Sequence, residues 1–195
     1  MTALKPASAA VRYEDVVAFL EACSARQVPH VAKSLFEHLQ GTYELLREWG
    51  SPFDVCHAGL CHALYGTDGL PVALLDVRTE RPRLAGIIGA DAEAQVYLYA
   101  SCDRAHLYPQ LGTGDDLSFR DRFTGATFVP ARAAFAAFME LTFANELDMF
   151  RADPVLVEQH QATWGVRFDR SQQFVSEPAF AFFRRVFGGP ERRQL

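Results

Sequence analysis

The chain has 195 residues, 49% of them hydrophobic and 22% charged, and a net charge of -5. That length is enough for one domain with a sizeable core, and the composition is that of an ordinary globule rather than a disordered or fibrous chain. The acidic balance argues against nucleic acid as the main partner, since phosphate binding needs a basic surface; no run approaches the ~20 apolar residues of a membrane span.

Residues 1 to 11 read as a flexible leader, 12 to 190 as a single helical domain, and 191 to 195 as a tail. A first helix is expected from Tyr13 to Arg26, with Val16, Val17, Phe19, Leu20 and Cys23 at helical spacing. A second runs from about Val31 to Trp49, stopped by Gly50. Ser51-Pro52-Phe53-Asp54 reads as the start of a third, which reaches about Leu64 and ends at Gly66. Thr79-Glu80 can cap a fourth helix ending at Gly89, and Asp91 opens a fifth. From Asp103 to Pro130 the helical pattern is lost, and LSFRDRFTGATFV alternates around Thr124-Gly125 as a small hairpin would. A long helix follows from Pro130 to about Phe150, another from Asp153-Pro154 to about Trp164, and a last from Ser176 to Phe187. The fold expected is all-α, with any β structure confined to the region between Asp103 and Pro130. Most of the 16 phenylalanines fall in the C-terminal half, which should supply much of the packing.

The cysteines, Cys23, Cys56, Cys61 and Cys102, form no C-x-x-C pair, and MTALKPASAAVRYED contains no apolar secretory stretch. A cytoplasmic protein with reduced thiols is expected. Arg184-Arg185 with Arg192-Arg193 is a candidate basic patch, but a solvated tail is the preferred reading.

The chemistry concentrates in HAGLCHALYGT, residues 57 to 67, inside an apolar run. His38 shares or flanks a helix face with Leu35, Leu39, Thr42, Leu45, Leu46 and Trp49, so it should point inward. His62 lies near the end of the third helix. A buried polar group without a partner costs ~1–3 kcal/mol. Two buried histidines with Tyr65 and Thr67 therefore imply a hydrogen-bond network, a metal or a ligand. The plain alternative is a pair of satisfied core histidines that cap or bridge helices. His57 precedes His62 by five residues, about 140° around a regular helix, and is expected nearer the surface. Glu93 falls among apolar neighbours. In FANELDMF, Asn145 and Asp148 share a face, while Glu146 points about 100° away and reads as part of a solvated face. The expected arrangement is one interior pocket lined by His38, His62, Tyr65, Thr67 and Glu93, with Thr42 meeting it from the second helix.

EHLQGTYELLREWGSPFDVCHAGLCHALYGTDG resembles the start of an HD-domain protein, in particular the alarmone (ppGpp) hydrolases. In those enzymes a helical His is followed by an AALLHDVVEDT-like segment that carries the His-Asp metal pair. The spacing of His38 and His62 suits that order. RPRLAGIIGADAEAQVYLYA looks like their next helical segment, and FANELDMF like their later LADRLHNM, which brings the last metal-binding Asp. HLxGTxxLLxxWG and AGLxHxxYGT also look like a small bacterial subfamily of this type. The resemblance covers about residues 30 to 100 and 135 to 150. It implies an HD-like helical bundle, with His38 and His62 at metal-ligand positions. Two departures stand out: the HD pair reads His62-Ala63, and the later Asp aligns with Asn145. Two histidines without those carboxylates make a poor site for Mn²⁺ or Mg²⁺.

Three functions follow as expectations. The first is a small-molecule enzyme, either a metal-assisted hydrolase or a metal-independent acid-base enzyme. His62, His38, Tyr65 and Glu93 would be catalytic, and Thr42, Thr67, Trp49, Asn145 and Asp148 would bind substrate. The second is a non-catalytic sensing or partner-binding module built on a degenerate HD pocket. The third is a non-haem iron oxygenase. A homo-oligomer is compatible with each.

Overall fold

The computed structural model describes residues 11–30, 33–70, 72–114 and 117–188. The expected leader and tail fall largely outside these residues. The fold is all-α with short hairpins. Helix α1 (Tyr13–Ala22) is followed by a 3-10 turn at Ala25–Gln27 and by a two-residue antiparallel pair, β1 (Pro29–His30) with β2 (Lys33–Ser34). Helices α2 (Leu35–Glu48), α3 (Phe53–Cys61), α4 (Arg81–Ile88) and α5 (Ala90–Ser101) come next. A short α6 (Arg104–Leu107) leads to the hairpin of β3 (Phe119–Arg120) and β4 (Thr127–Phe128), turned at Gly125 with φ +76°. The long α7 (Arg132–Phe150) precedes α8 (Pro154–His160), a π-helical turn at Gln161–Gly165, α9 (Val166–Asp169) and α10 (Glu177–Phe187).

The hairpin at Thr124-Gly125 lies where the sequence pattern put it. β structure also occurs outside that region, at Pro29–His30 and Lys33–Ser34, and this corrects the expectation that α2 begins near Val31. Ser34 starts the helix instead. Its side chain accepts from the Glu37 backbone N–H while the Glu37 carboxylate accepts from the Ser34 N–H, a capping box. α3 also ends earlier than expected, at Cys61, and His62 to Tyr65 continue as turns to Gly66, whose φ is +69°.

α7 is the central helix. It is buried on nearly every side from Phe135 to Phe150, packing against α2, α3, α5 and α10. A helix apolar all round belongs in a core, and each polar residue on it must then find a partner. Glu140 accepts from the backbone N–H and the hydroxyl of Ser176, which fixes the start of α10. Phe143 and Phe150 of α7 pack with Phe168, Phe183 and Phe187 in tilted and edge-to-face pairs, each ring contributing roughly 2–3 kcal/mol on burial. No helix among the described residues is long and apolar enough to cross a membrane.

Candidate functional site

α2, α3 and α7 converge on one polar centre. His38 is fully buried, with Nδ1 2.7 Å from Asp148 Oδ2 and Nε2 2.9 Å from Asn145 Oδ1. Asn145 and Asp148 share the α7 face that meets α2, as their spacing requires. The helices come this close because residue 41 is glycine: a Cβ there would stand 2.1 Å from Asp148 Oδ1. Asp148 also accepts from Lys33 Nζ at 2.5 Å and Arg151 Nη2 at 2.9 Å. Burial works to raise its carboxyl, but the hydrogen bonds from His38 and Lys33 outweigh that and hold it below the usual range.

His62 follows the last turn of α3. Its Nδ1–H donates to the Gly59 carbonyl at 2.7 Å, so Nε2 carries the lone pair. Its ring meets His38 edge to face at 5.3 Å and Tyr99 at 5.2 Å. His30, from β1, lies flat on His38 with ring centroids 4.3 Å apart. Burial, reinforced by neighbouring His38, pushes His62 down to about 3 and His30 down to about 4.

Glu146 is buried, not part of a solvated face. Because α7 is central, the rotation away from Asn145 carries it to Arg104 of α6 rather than to water. It accepts from Asn145 Nδ2 at 3.0 Å, and Arg104 Nη1 stands 3.7 Å away. Burial raises its carboxyl, against the opposing pull of Arg104, His38 and Asn145. A chain therefore runs Asp148–His38–Asn145–Glu146–Arg104.

This chain has two complete proton arrangements. In one, His38 donates from both ring nitrogens, Asn145 accepts with Oδ1, and ionised Glu146 accepts from Nδ2. In the other, protonated Glu146 donates to an Asn145 amide turned end for end, whose Nδ2 donates to a neutral His38. The proton count is the same in both, and they differ in whether His38 and Glu146 are charged and in the direction of the Asn145 amide.

The other expected site residues divide. Tyr65 and Glu93 do not join the histidines. The Tyr65 hydroxyl donates to Glu93 at 3.1 Å, and Arg81 holds both Glu93 oxygens at 2.7 and 2.9 Å with its guanidinium over Tyr97. The single pocket read from the sequence is thus two clusters. Thr42 donates to the His38 carbonyl, one turn back on α2, and Thr67 Oγ1 accepts from the Leu70 N–H. Trp49 sits about 16 Å along α2 from His38, its indole N–H buried without a partner against Phe182. His57, expected near the surface, is buried under the half-exposed Phe53 ring and against Tyr43, with neither ring nitrogen partnered. The apolar cover explains this: α3 is buried from Val55 to Cys61 on every face.

His30, Lys33, Tyr99, Arg104 and Arg151 were not singled out from the sequence, and Glu146 was read there as part of a solvated face. Two signals could have found some of them. The S-x-x-E box at Ser34 fixes where α2 starts and sets Lys33 beside its first turn. Glu146 lies on a helix without a polar face, so it needs a buried partner.

The HD resemblance implies a divalent metal, and the donor set here does not fit one. Asp148 is committed to Lys33, Arg151 and His38, both His38 nitrogens are engaged, and Glu146 faces Arg104 and Asn145. His62 Nε2 and the buried His30 Nδ1 are the donors of the centre with no described hydrogen bond. Among the described residues, no group of three His, Cys, Asp or Glu side chains is arranged to hold a metal. The four cysteines are free thiols.

Residues 19–104 match the model of a family described as a domain of unknown function (DUF6817). The matched span carries His38, His62 and Arg104 and stops before α7. No curated protein matches the chain, and neither does any solved structure.

Proposed function

We propose that the chain is a small-molecule enzyme whose acid-base site is the His38–His62 pair in an HD-like helical bundle. The observation that carries this reading is the meeting of the two imidazoles at 5.3 Å beside the α7 residues Asn145, Glu146 and Asp148. A His on α2, a second after α3 and a carboxylate on α7 follow the order of the HD resemblance. In the chemistry we propose, His62 Nε2 accepts a proton from substrate. Asp148 holds His38 in orientation, and the His38–Asn145–Glu146 chain returns a proton. No step passes through a metal.

A second reading, a non-catalytic ligand pocket, is favoured by one observation. Burial makes His62 a weak base at neutral pH, and His38 has no uncommitted nitrogen.

Incubation with a panel of small metabolites, followed by mass spectrometry, separates the two. The enzyme reading expects at least one compound to be consumed by the wild type and spared by His62→Asn, with both proteins showing the same circular dichroism. Equal consumption, or none by either protein, rejects it in favour of the pocket.

A further inference from the structure

Beside the histidine centre lies a second set of groups that the acid-base chemistry does not use. Tyr108 follows α6, and its residue is 7% exposed. Its hydroxyl is buried and has no hydrogen-bond partner. The ring is fixed on both sides, edge to face with Trp164 at 5.4 Å and with the Arg167 guanidinium 4.9 Å from its centroid. Trp164 sits in the π-helical turn Gln161–Gly165, and such turns often occur at functional sites.

Arg104, four residues earlier, brings a guanidinium into the same region. It donates to the Tyr99 hydroxyl at 3.1 Å, and its Nη1 stands 3.7 Å from Glu146, beyond hydrogen-bond reach. Residue 69 has no side chain, and a Cβ there would stand 2.9 Å from Arg104 Nη1. Arg104, Tyr99 and Glu146 are also the groups whose charges act most strongly on the Tyr108 hydroxyl.

A buried hydroxyl left unmatched costs about as much as a lost hydrogen bond, so it marks a place where an acceptor belongs. The surroundings select the sign of that acceptor. Arg104 stands 3.7 Å from the Glu146 carboxylate and the charge of Arg167 reaches it from farther off, while that carboxylate already accepts from Asn145. Arg104 Nη1, short of Glu146, has no described hydrogen bond and is left with N–H groups to donate.

We propose that Arg104 and the Tyr108 hydroxyl, beside Glu146, form a binding site for an oxyanion, the carboxylate or phosphate group of a small molecule. Trp164 and Arg167 hold the tyrosine ring in place. Arg104 supplies charge and N–H donors, and Tyr108 an O–H donor. Glu146 tolerates the anion in its protonated form, the arrangement in which His38 is neutral. The site deepens the acid-base reading by giving it an anionic ligand, yet binding is measured without turnover, so the two can fail separately.

The test is calorimetric titration at fixed ionic strength with inorganic phosphate and, separately, with acetate. Wild type, Tyr108→Phe, Arg104→Lys and Tyr65→Phe are compared. The proposal expects one of the anions to bind saturably by about 10 mM, and which one identifies the group. Tyr108→Phe should keep the melting temperature and weaken binding by about tenfold, the loss of one hydrogen bond. Arg104→Lys should weaken it further, and Tyr65→Phe, in the separate cluster with Glu93 and Arg81, should bind as the wild type does. Absence of saturable binding by either anion overturns the proposal. So does equal affinity in Tyr108→Phe, which would mean that the hydroxyl meets only water.

Discussion

The His38–His62 centre and the Tyr65–Glu93–Arg81 cluster are both buried and polar, and both draw on the segment HAGLCHALYGT, but their hydrogen bonds close differently. In the second cluster a carboxylate meets a bidentate arginine and a tyrosine hydroxyl, and every partner is matched. It joins the turn after α3 to α4 and α5, and nothing in it is left to meet a ligand. In the first, Asp148 is saturated, but His62 Nε2 has only a lone pair, Glu146 stands short of Arg104, and Tyr108 beyond it has no partner. Burial of polar groups is common to both; unmatched hydrogen bonds distinguish the candidate site from the brace.

The largest expected effect is at Asp148. Asp148→Ala leaves His38 buried beside Lys33 and Arg151 without their anion, a loss of about 3–5 kcal/mol in denaturant unfolding. A loss under about 1 kcal/mol would show that the centre is not held by charge.

Acid should act next, and on the first region alone. His62 and His30 have folded values near 3 and 4, below the usual histidine value of 6.5. The unfolded chain therefore binds more protons between those values, and stability falls as pH drops from about 6.5 toward 4. Glu146, raised in the folded state, acts in the opposite sense, losing stability as pH rises past its ordinary value. Melting temperatures across this range should show a steep acid limb that His62→Asn flattens and Tyr65→Phe leaves unchanged.

Glu93→Ala should cost about 2 kcal/mol, less than Asp148→Ala because the Arg81 side chain is 39% exposed and can turn to water. Tyr65→Phe should cost about 1 kcal/mol and leave any metabolite consumption intact. Loss of consumption in a folded Tyr65→Phe protein would merge the two regions into one site. The smallest effect is at His57, whose ring nitrogens are unpartnered. His57→Leu should raise stability by about 1 kcal/mol, seen as a higher urea midpoint.

Much of the frame was legible in the sequence. The helical periodicity located α1, α2, α7 and α10 to within a turn or so, and Thr124-Gly125 marked its hairpin because a turn of that kind demands a residue tolerant of positive φ. His38 with Asn145 and Asp148 could be read as facing inward because helical spacing fixes which residues share a face. Periodicity says nothing about which faces meet. Tyr65 and Glu93 were therefore joined to the histidines, when Tyr65 donates to Glu93 and Arg81 holds that carboxylate. Arg104 and Tyr108 lie in a stretch without helical pattern, so their convergence with Glu146 depends on tertiary packing alone. His57 and Glu146 were assigned outward by angle, a rule that holds only for a helix with one wet side, and neither α3 nor α7 has one there.

The central claim is that His62 is a neutral imidazole beside His38, protonated at Nδ1 alone. Long-range ¹H–¹⁵N spectra of ring-labelled protein, assigned by His62→Asn and recorded from about pH 5 to 8, test that directly. The account predicts a His62 ring protonated at Nδ1 alone and unchanged across the range. A His62 that titrates near 6.5, or that carries its proton on Nε2, would contradict it.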